Sequence, residues 1–101
     1  MEDYESDNGR MVIGGVYAGD IADEFGTPVY VTDEQKLRDN YRRIYEAFSK
    51  EMNTVVNYAC KANSNLAVLS ILEEEGSHID AVSVGEVESC IKVGFTADRI
   101  L

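Results

Sequence analysis

The stretch Thr54–Leu69, TVVNYACKANSNLAVL, constrains this chain more than any other. Val55-Val56-Asn57-Tyr58-Ala59-Cys60 is a short apolar run, rich in β-branched and aromatic residues, with the composition of one buried strand. Lys61 closes it, Ala62-Asn63-Ser64-Asn65 turns the chain, and Leu66-Ala67-Val68-Leu69 starts a helix. In parallel α/β architectures, sites are built at that end of a strand. A lone amine there has two options. It can lay its stem on apolar surface and keep its head in water. Alternatively, the strand behind it can desolvate it enough to make a neutral nucleophile toward an aldehyde.

The elements on either side set the context. Met1–Arg10 is polar, carries most of its charge as carboxylates, and is expected to fray. Met11-Val12-Ile13 before Gly14-Gly15 reads as a short strand ended by a glycine turn. Asp20–Phe25, with Gly26 just beyond, reads as a short helix with a glycine C-cap. Pro28, which cannot donate to a ladder, suits the first position of a strand Val29–Val31. Thr32 and Gln35 make a capping box for a helix reaching Ser49, with Leu37, Tyr41, Ile44, Tyr45 and Phe48 at helical spacing. Arg38, Arg42 and Arg43 fall mostly on its other face beside Asp39 and Glu46, and read as a solvated surface.

Beyond Lys61, Ser64 is the expected cap of a helix through Leu66, Leu69 and Leu72 that stops at Gly76. Its closing Glu73-Glu74-Glu75 opposes the helix dipole and reads as another solvated face. Ile79–Val82 is the next strand. Ser83 and Glu86 form a second capping box, and Val87, Cys90 and Ile91 share a face before Gly94. Ile100-Leu101 looks like a third strand beginning. Strand–helix–strand–helix–strand in units of this length calls for parallel strands with right-handed crossovers.

Composition narrows the function classes. A chain of 101 residues allows one domain at most, and its net charge of −10 argues against nucleic acid or an anionic membrane as partner. No apolar run approaches spanning length, and the acidic start MEDYESD is the opposite of a basic signal-peptide region. Cys60 and Cys90 lack a CxxC or histidine partner at metal spacing and read as reduced core thiols of a cytoplasmic protein. His78, the only histidine, has no second ligand at metal spacing, so no metal site is expected. Asp80 follows Lys61 by one strand–helix repeat. It reads either as ordinary strand-end loop chemistry or as a carboxylate that orients the amine.

YACKANSNLAVL resembles the Y-A-x-K-A-N-x-N-x-x-V-L segment of the fold-type III, pyridoxal-phosphate-dependent ornithine/diaminopimelate/arginine decarboxylases, the diaminopimelate branch above all. The alanine racemases share that fold but continue differently after K-A-N. The run from Ile13 through I-A-D-E-F-G-T-P-V-Y-V is similar to the family's opening segment. D-A-V-S-V-G-E from Asp80 is similar to its D-x-x-S-x-G-E block, departing at Val84 where glycine is usual.

The resemblance implies that Lys61 carries pyridoxal 5′-phosphate as an internal aldimine and that Asp80 lies beside the cofactor. The family's ring-stacking histidine comes from a later strand, so that role does not pass to His78. The implied fold is the first part of an alanine racemase-like (β/α)₈ TIM barrel over residues 28–101. Residues 1–27 would contribute to a β-domain or its junction, and the whole would be an N-terminal fragment, since a barrel needs about 250 residues.

The implied activity is decarboxylation of meso-diaminopimelate to L-lysine, by a cytoplasmic homodimer with its site at the subunit interface. The fragment alone is expected to be inactive. The alternatives are an ornithine, arginine or carboxynorspermidine decarboxylase, or a non-catalytic barrel acting as a binding module.

Overall fold

The computed structural model describes residues 5–101. The chain forms two compact units, Met1–Lys36 and Leu37–Leu101.

In the first unit, β1 (Glu5–Asp7), β2 (Arg10–Ile13) and β3 (Val16–Tyr17) make an antiparallel meander, with Glu5 opposite Val12 and Val12 opposite Tyr17. Glu5–Arg10 is therefore ordered structure and not a frayed end, while the rest of that expected segment lies outside the described residues. The cause is local. Asn8 and Gly9 sit at φ +50 and +75, the left-handed pair that a two-residue hairpin requires, and Gly14-Gly15 repeats it at +57 and +81. Across the sheet the Tyr17 hydroxyl donates to the Asp7 carboxylate, and the Arg10 guanidinium lies 3.5 Å from the centre of the Tyr17 ring.

Helix α1 (Ala18–Phe25) follows and ends, as its sequence indicates, at Gly26, whose N–H bonds the Ala22 carbonyl. Val29–Val31 does not form the expected strand. A strand exists only through its ladder partner, and here the side chain of Tyr30 stands wholly in solvent. Asp33, not Thr32, meets the start of α2 (Glu34–Ser49): its Oδ1 accepts the Lys36 N–H at 3.1 Å. A carboxylate there both satisfies an orphan donor and faces the positive end of the helix.

The second unit is built on two parallel strands, β4 (Asn57–Ala59) and β5 (His78–Asp80), paired Asn57 to His78, Tyr58 to Ile79 and Ala59 to Asp80. Both are shorter than the runs Val55–Lys61 and Ile79–Val82 suggest, and Cys60–Ala62 is a 3₁₀ turn. Ile100 bridges Ile79 in parallel, with Leu101 N–H on the Ile79 carbonyl and Ala81 N–H on the Leu101 carbonyl, so a third strand does begin there. Side chains alternate along the pair. Val56, Tyr58, Cys60 and Ile79 pack into a core with Val68, Leu69 and Leu72 of α3 (Leu66–Glu74), Cys90 of α4 (Val84–Val93), Phe95 and Tyr41. Asn57, Ala59, His78 and Asp80 take the opposite face.

Helix α3 is capped by Asn65, whose Oδ1 accepts the Ala67 N–H at 2.9 Å; Ser64, a residue too early, has no such part. Its acidic end is not simply solvated. Glu73 pairs with Arg99, while Glu74 and Glu75 take Arg38 and Arg42 from the α2 face read above as solvent-facing. These cations offset the three glutamates' opposition to the helix dipole. Helix α4 has the expected Ser83 cap, its Oγ accepting the Glu86 N–H, while the Glu86 carboxylate reaches one residue past the cap to accept the Val82 N–H at 2.6 Å. It stops at Gly94, left-handed at φ +114. No helix among the described residues is long and apolar enough to cross a membrane.

Candidate active site

Lys61 occupies the 3₁₀ turn directly after β4, and its side chain is exposed. Of the two options for an amine at this strand end, the described residues show the solvated one. Its backbone is held from both sides. On one side Cys60 is fully buried, its thiol in contact with the thiol of Cys90. On the other, three hydrogen bonds follow in series. Tyr58 Oη donates to the Asn63 carbonyl at 3.0 Å, the Asn65 N–H donates to Asn63 Oδ1 at 3.0 Å, and the Ala67 N–H donates to Asn65 Oδ1. Neither Tyr58 nor the two asparagines figured among the site residues indicated by sequence. The signal was there in the asparagines, whose side chains bond the backbone two residues on.

Asp80 ends β5 and is half-buried. Its register partner is Ala59, two residues before Lys61. Strand spacing and rise put the Cα atoms of Lys61 and Asp80 roughly 6–8 Å apart at the same end of the sheet. An amine and a carboxylate thus stand on neighbouring parallel strands, where α/β folds place their chemistry.

Other nucleophiles nearby are disfavoured. Burial, with the neighbouring Cys90, pushes the Cys60 thiol up to about 11, and burial also raises Cys90. Burial likewise raises the Tyr58 phenol. His78 begins β5, so it belongs to the far end of the strands. There it lines a cavity of about 300 Å³ with Tyr41, Tyr45, Thr54, Val56 and Glu75. No cluster of three metal-binding side chains occurs among the described residues.

The profile of the family described as "pyridoxal-dependent decarboxylase, pyridoxal binding domain" matches residues 34–101, which include both Lys61 and Asp80. The chain belongs to this family. It is 59% identical over 97 residues to a diaminopimelate decarboxylase of Methanothermobacter thermautotrophicus, covering 95% of this chain and 23% of that protein. The crystal structure of diaminopimelate decarboxylase from Methanocaldococcus jannaschii superposes with a TM-score of 0.90 at 36% identity, over 96% of this chain and 24% of that one. The Helicobacter pylori enzyme, crystallised with L-lysine, superposes at 0.74 and 36% identity, over 81% of this chain and 21% of that one. The chain therefore spans about a quarter of the length of the relatives it matches.

The residues present fit one end of a pyridoxal group. An exposed primary amine at a strand end can reach an aldehyde, and a carboxylate ends the neighbouring strand. The loops after β4 and β5, residues 60–65 and 81–83, contain no glycine and so offer no phosphate cradle of the glycine-rich kind.

Proposed function

We propose that this chain is the lysine-bearing part of a pyridoxal phosphate-dependent decarboxylase that converts meso-diaminopimelate to L-lysine and CO₂. The observation that carries the reading is the exposed Lys61 just after β4, with Asp80 ending the adjacent parallel strand, both inside the matched region. The names of the relatives, and the L-lysine bound to the Helicobacter pylori enzyme, support the choice of substrate.

Lys61 Nζ is the group that would hold the cofactor through its aldehyde carbon until the substrate's amine takes that place. It acts as a nucleophile when neutral and holds a proton once displaced. Asp80, at the end of the neighbouring strand, would be the carboxylate closest along the sheet to the group that Lys61 holds. The bound pyridoxal phosphate supplies the electron sink that takes up the pair left when CO₂ departs. Cys60, buried behind Lys61, keeps the anchor's backbone in the core and takes no part in the proton transfers.

The groups for the phosphate, the ring nitrogen and the substrate's far end come, on this reading, from residues outside the described set and from a second subunit. The full-length enzyme is a cytoplasmic homodimer with its site at the subunit interface. Residues 28–101 open its barrel, and residues 1–27, with their antiparallel strands, belong to the β-domain or its junction. The net charge of −10 fits an enzyme without nucleic-acid or membrane partners.

The test is turnover. Purified full-length enzyme with pyridoxal phosphate should release CO₂ from meso-diaminopimelate and form lysine. Turnover of ornithine or arginine with meso-diaminopimelate inert would overturn the substrate assignment.

A further inference from the structure

The hydroxyl of Tyr58 has no role in the core it borders. Its ring packs against the buried cluster, yet Oη reaches past the end of β4 to donate to the Asn63 carbonyl at 3.0 Å. Lys61 lies between the two partners in sequence. The bond therefore closes the 3₁₀ turn that carries the amine. Asn63 in turn receives the Asn65 N–H on its side chain, and Asn65 caps α3, so the closure is continuous with a helix end. Cys60, fully buried, fixes the other flank. A turn of three residues pinned on only one side could rotate its central side chain, whereas one pinned on both sides projects it in a single direction. Displacing a reacting group by about 1 Å can cost 100-fold in rate.

We propose that Tyr58 is a positioning residue for Lys61, setting through the Asn63 carbonyl the direction in which the amine meets its aldehyde. The inference rests on the assignment of Lys61 as the cofactor anchor.

Tyr58→Phe in the full-length enzyme keeps the ring and its packing and removes only the donor. Tyr58→Leu removes packing as well. The first readout needs no cofactor: in the apoprotein, amide hydrogen exchange of Ala62–Asn65 should rise about 10-fold in Tyr58→Phe, with α3 and α4 unchanged. The second uses the holoenzyme. In Tyr58→Phe, kcat should fall about 10-fold with KM within about twofold of wild type. The pH at which the lysine-bound cofactor changes its visible absorbance should shift, and the melting temperature should stay within about 2 °C.

A purely structural tyrosine would leave Tyr58→Phe like wild type and make only Tyr58→Leu defective, in step with its loss of melting temperature. That result overturns the proposal, as does faster turn exchange with kcat and spectrum unchanged. Failure of wild-type enzyme to fix pyridoxyl on Lys61 is a separate result, seen before any variant is made. It overturns the anchor assignment and, with it, the catalytic half of this inference.

Discussion

Replacing Arg99 with methionine keeps a flexible apolar stem near Phe95 but removes the guanidinium that ties residues 97–99 to α3 and to Ser77, just before β5. That guanidinium makes four hydrogen bonds. Nε and Nη2 donate to the Ser77 carbonyl at 3.1 and 2.7 Å, Nη2 also to the Glu73 carbonyl, and Nη1 to Glu73 Oε1, both at 3.0 Å. It also lies 4.8 Å from the centre of the Phe95 ring. Ser77 has no exposed surface, so its carbonyl loses donors that water cannot easily replace, at about 1–3 kcal/mol. The Arg99–Glu73 ion pair is 19% and 28% exposed and adds less than about 1 kcal/mol. The Glu73 carbonyl sits at an open helix end and regains water.

The loss is therefore about 1–4 kcal/mol for Arg99→Met and roughly half that for Arg99→Lys, which keeps the charge without the planar fork. Native-state hydrogen exchange at Ile79 and Asp80 in the full-length enzyme reads it directly, as an opening about 100-fold more frequent. Exchange at those amides unchanged in Arg99→Met, or an unfolding free energy within about 0.5 kcal/mol of wild type, would refute this account of the clamp.

Acid should remove the stability that Glu75 contributes. Hydrogen bonds from Arg42, then Arg38, hold its carboxyl below the usual value of 4.5, so its contribution is present above that pH and is lost as pH falls through the lowered folded value. Thermal melts from pH 7 down to pH 3 should show a steeper loss below about 4.5 for wild type than for Glu75→Gln; parallel curves would contradict it. Cys60 and Cys90 should resist thiol reagents at pH 8 in the folded enzyme and react only on unfolding, since burial keeps both protonated. Prompt labelling of either in the native state, followed by mass spectrometry, would show that Lys61's flank is looser than described.

Periodicity and caps made much of the second unit legible: α2 to Ser49, α3 and its stop at Gly76, the Ser83 cap, Gly94, and the third strand at Ile100. Where two capping residues adjoin, spacing could not choose between them, so Asp33 and Asn65 displaced Thr32 and Ser64. The parallel strand pairing was legible, but long-range pairing between side chains was not. Arg38 and Arg42 read as a solvated face because nothing local ties position 38 to position 75. Arg99 gave no sign of its four bonds, since its partners are mostly main-chain carbonyls. Asn8-Gly9 was a readable hairpin signal that the acidity around it masked. Val29–Val31 has strand composition without a strand, because composition cannot supply a ladder partner.

Lys61 and Asp80 were singled out by motif and spacing, and the parallel register of Ala59 with Asp80 is what the structure adds. Tyr58 stayed hidden because a tyrosine in a strand has packing enough to explain it. Its hydroxyl's partner is a carbonyl that no sequence pattern marks.

The central claim is that Lys61 is the amine that takes the cofactor. Full-length enzyme incubated with pyridoxal phosphate, reduced with borohydride and digested should yield one pyridoxyl-labelled peptide, containing Tyr58–Asn65 with the label on Lys61. Lys61→Ala should give none while keeping its melting temperature. Label on another lysine, or equal label in Lys61→Ala, would contradict the account.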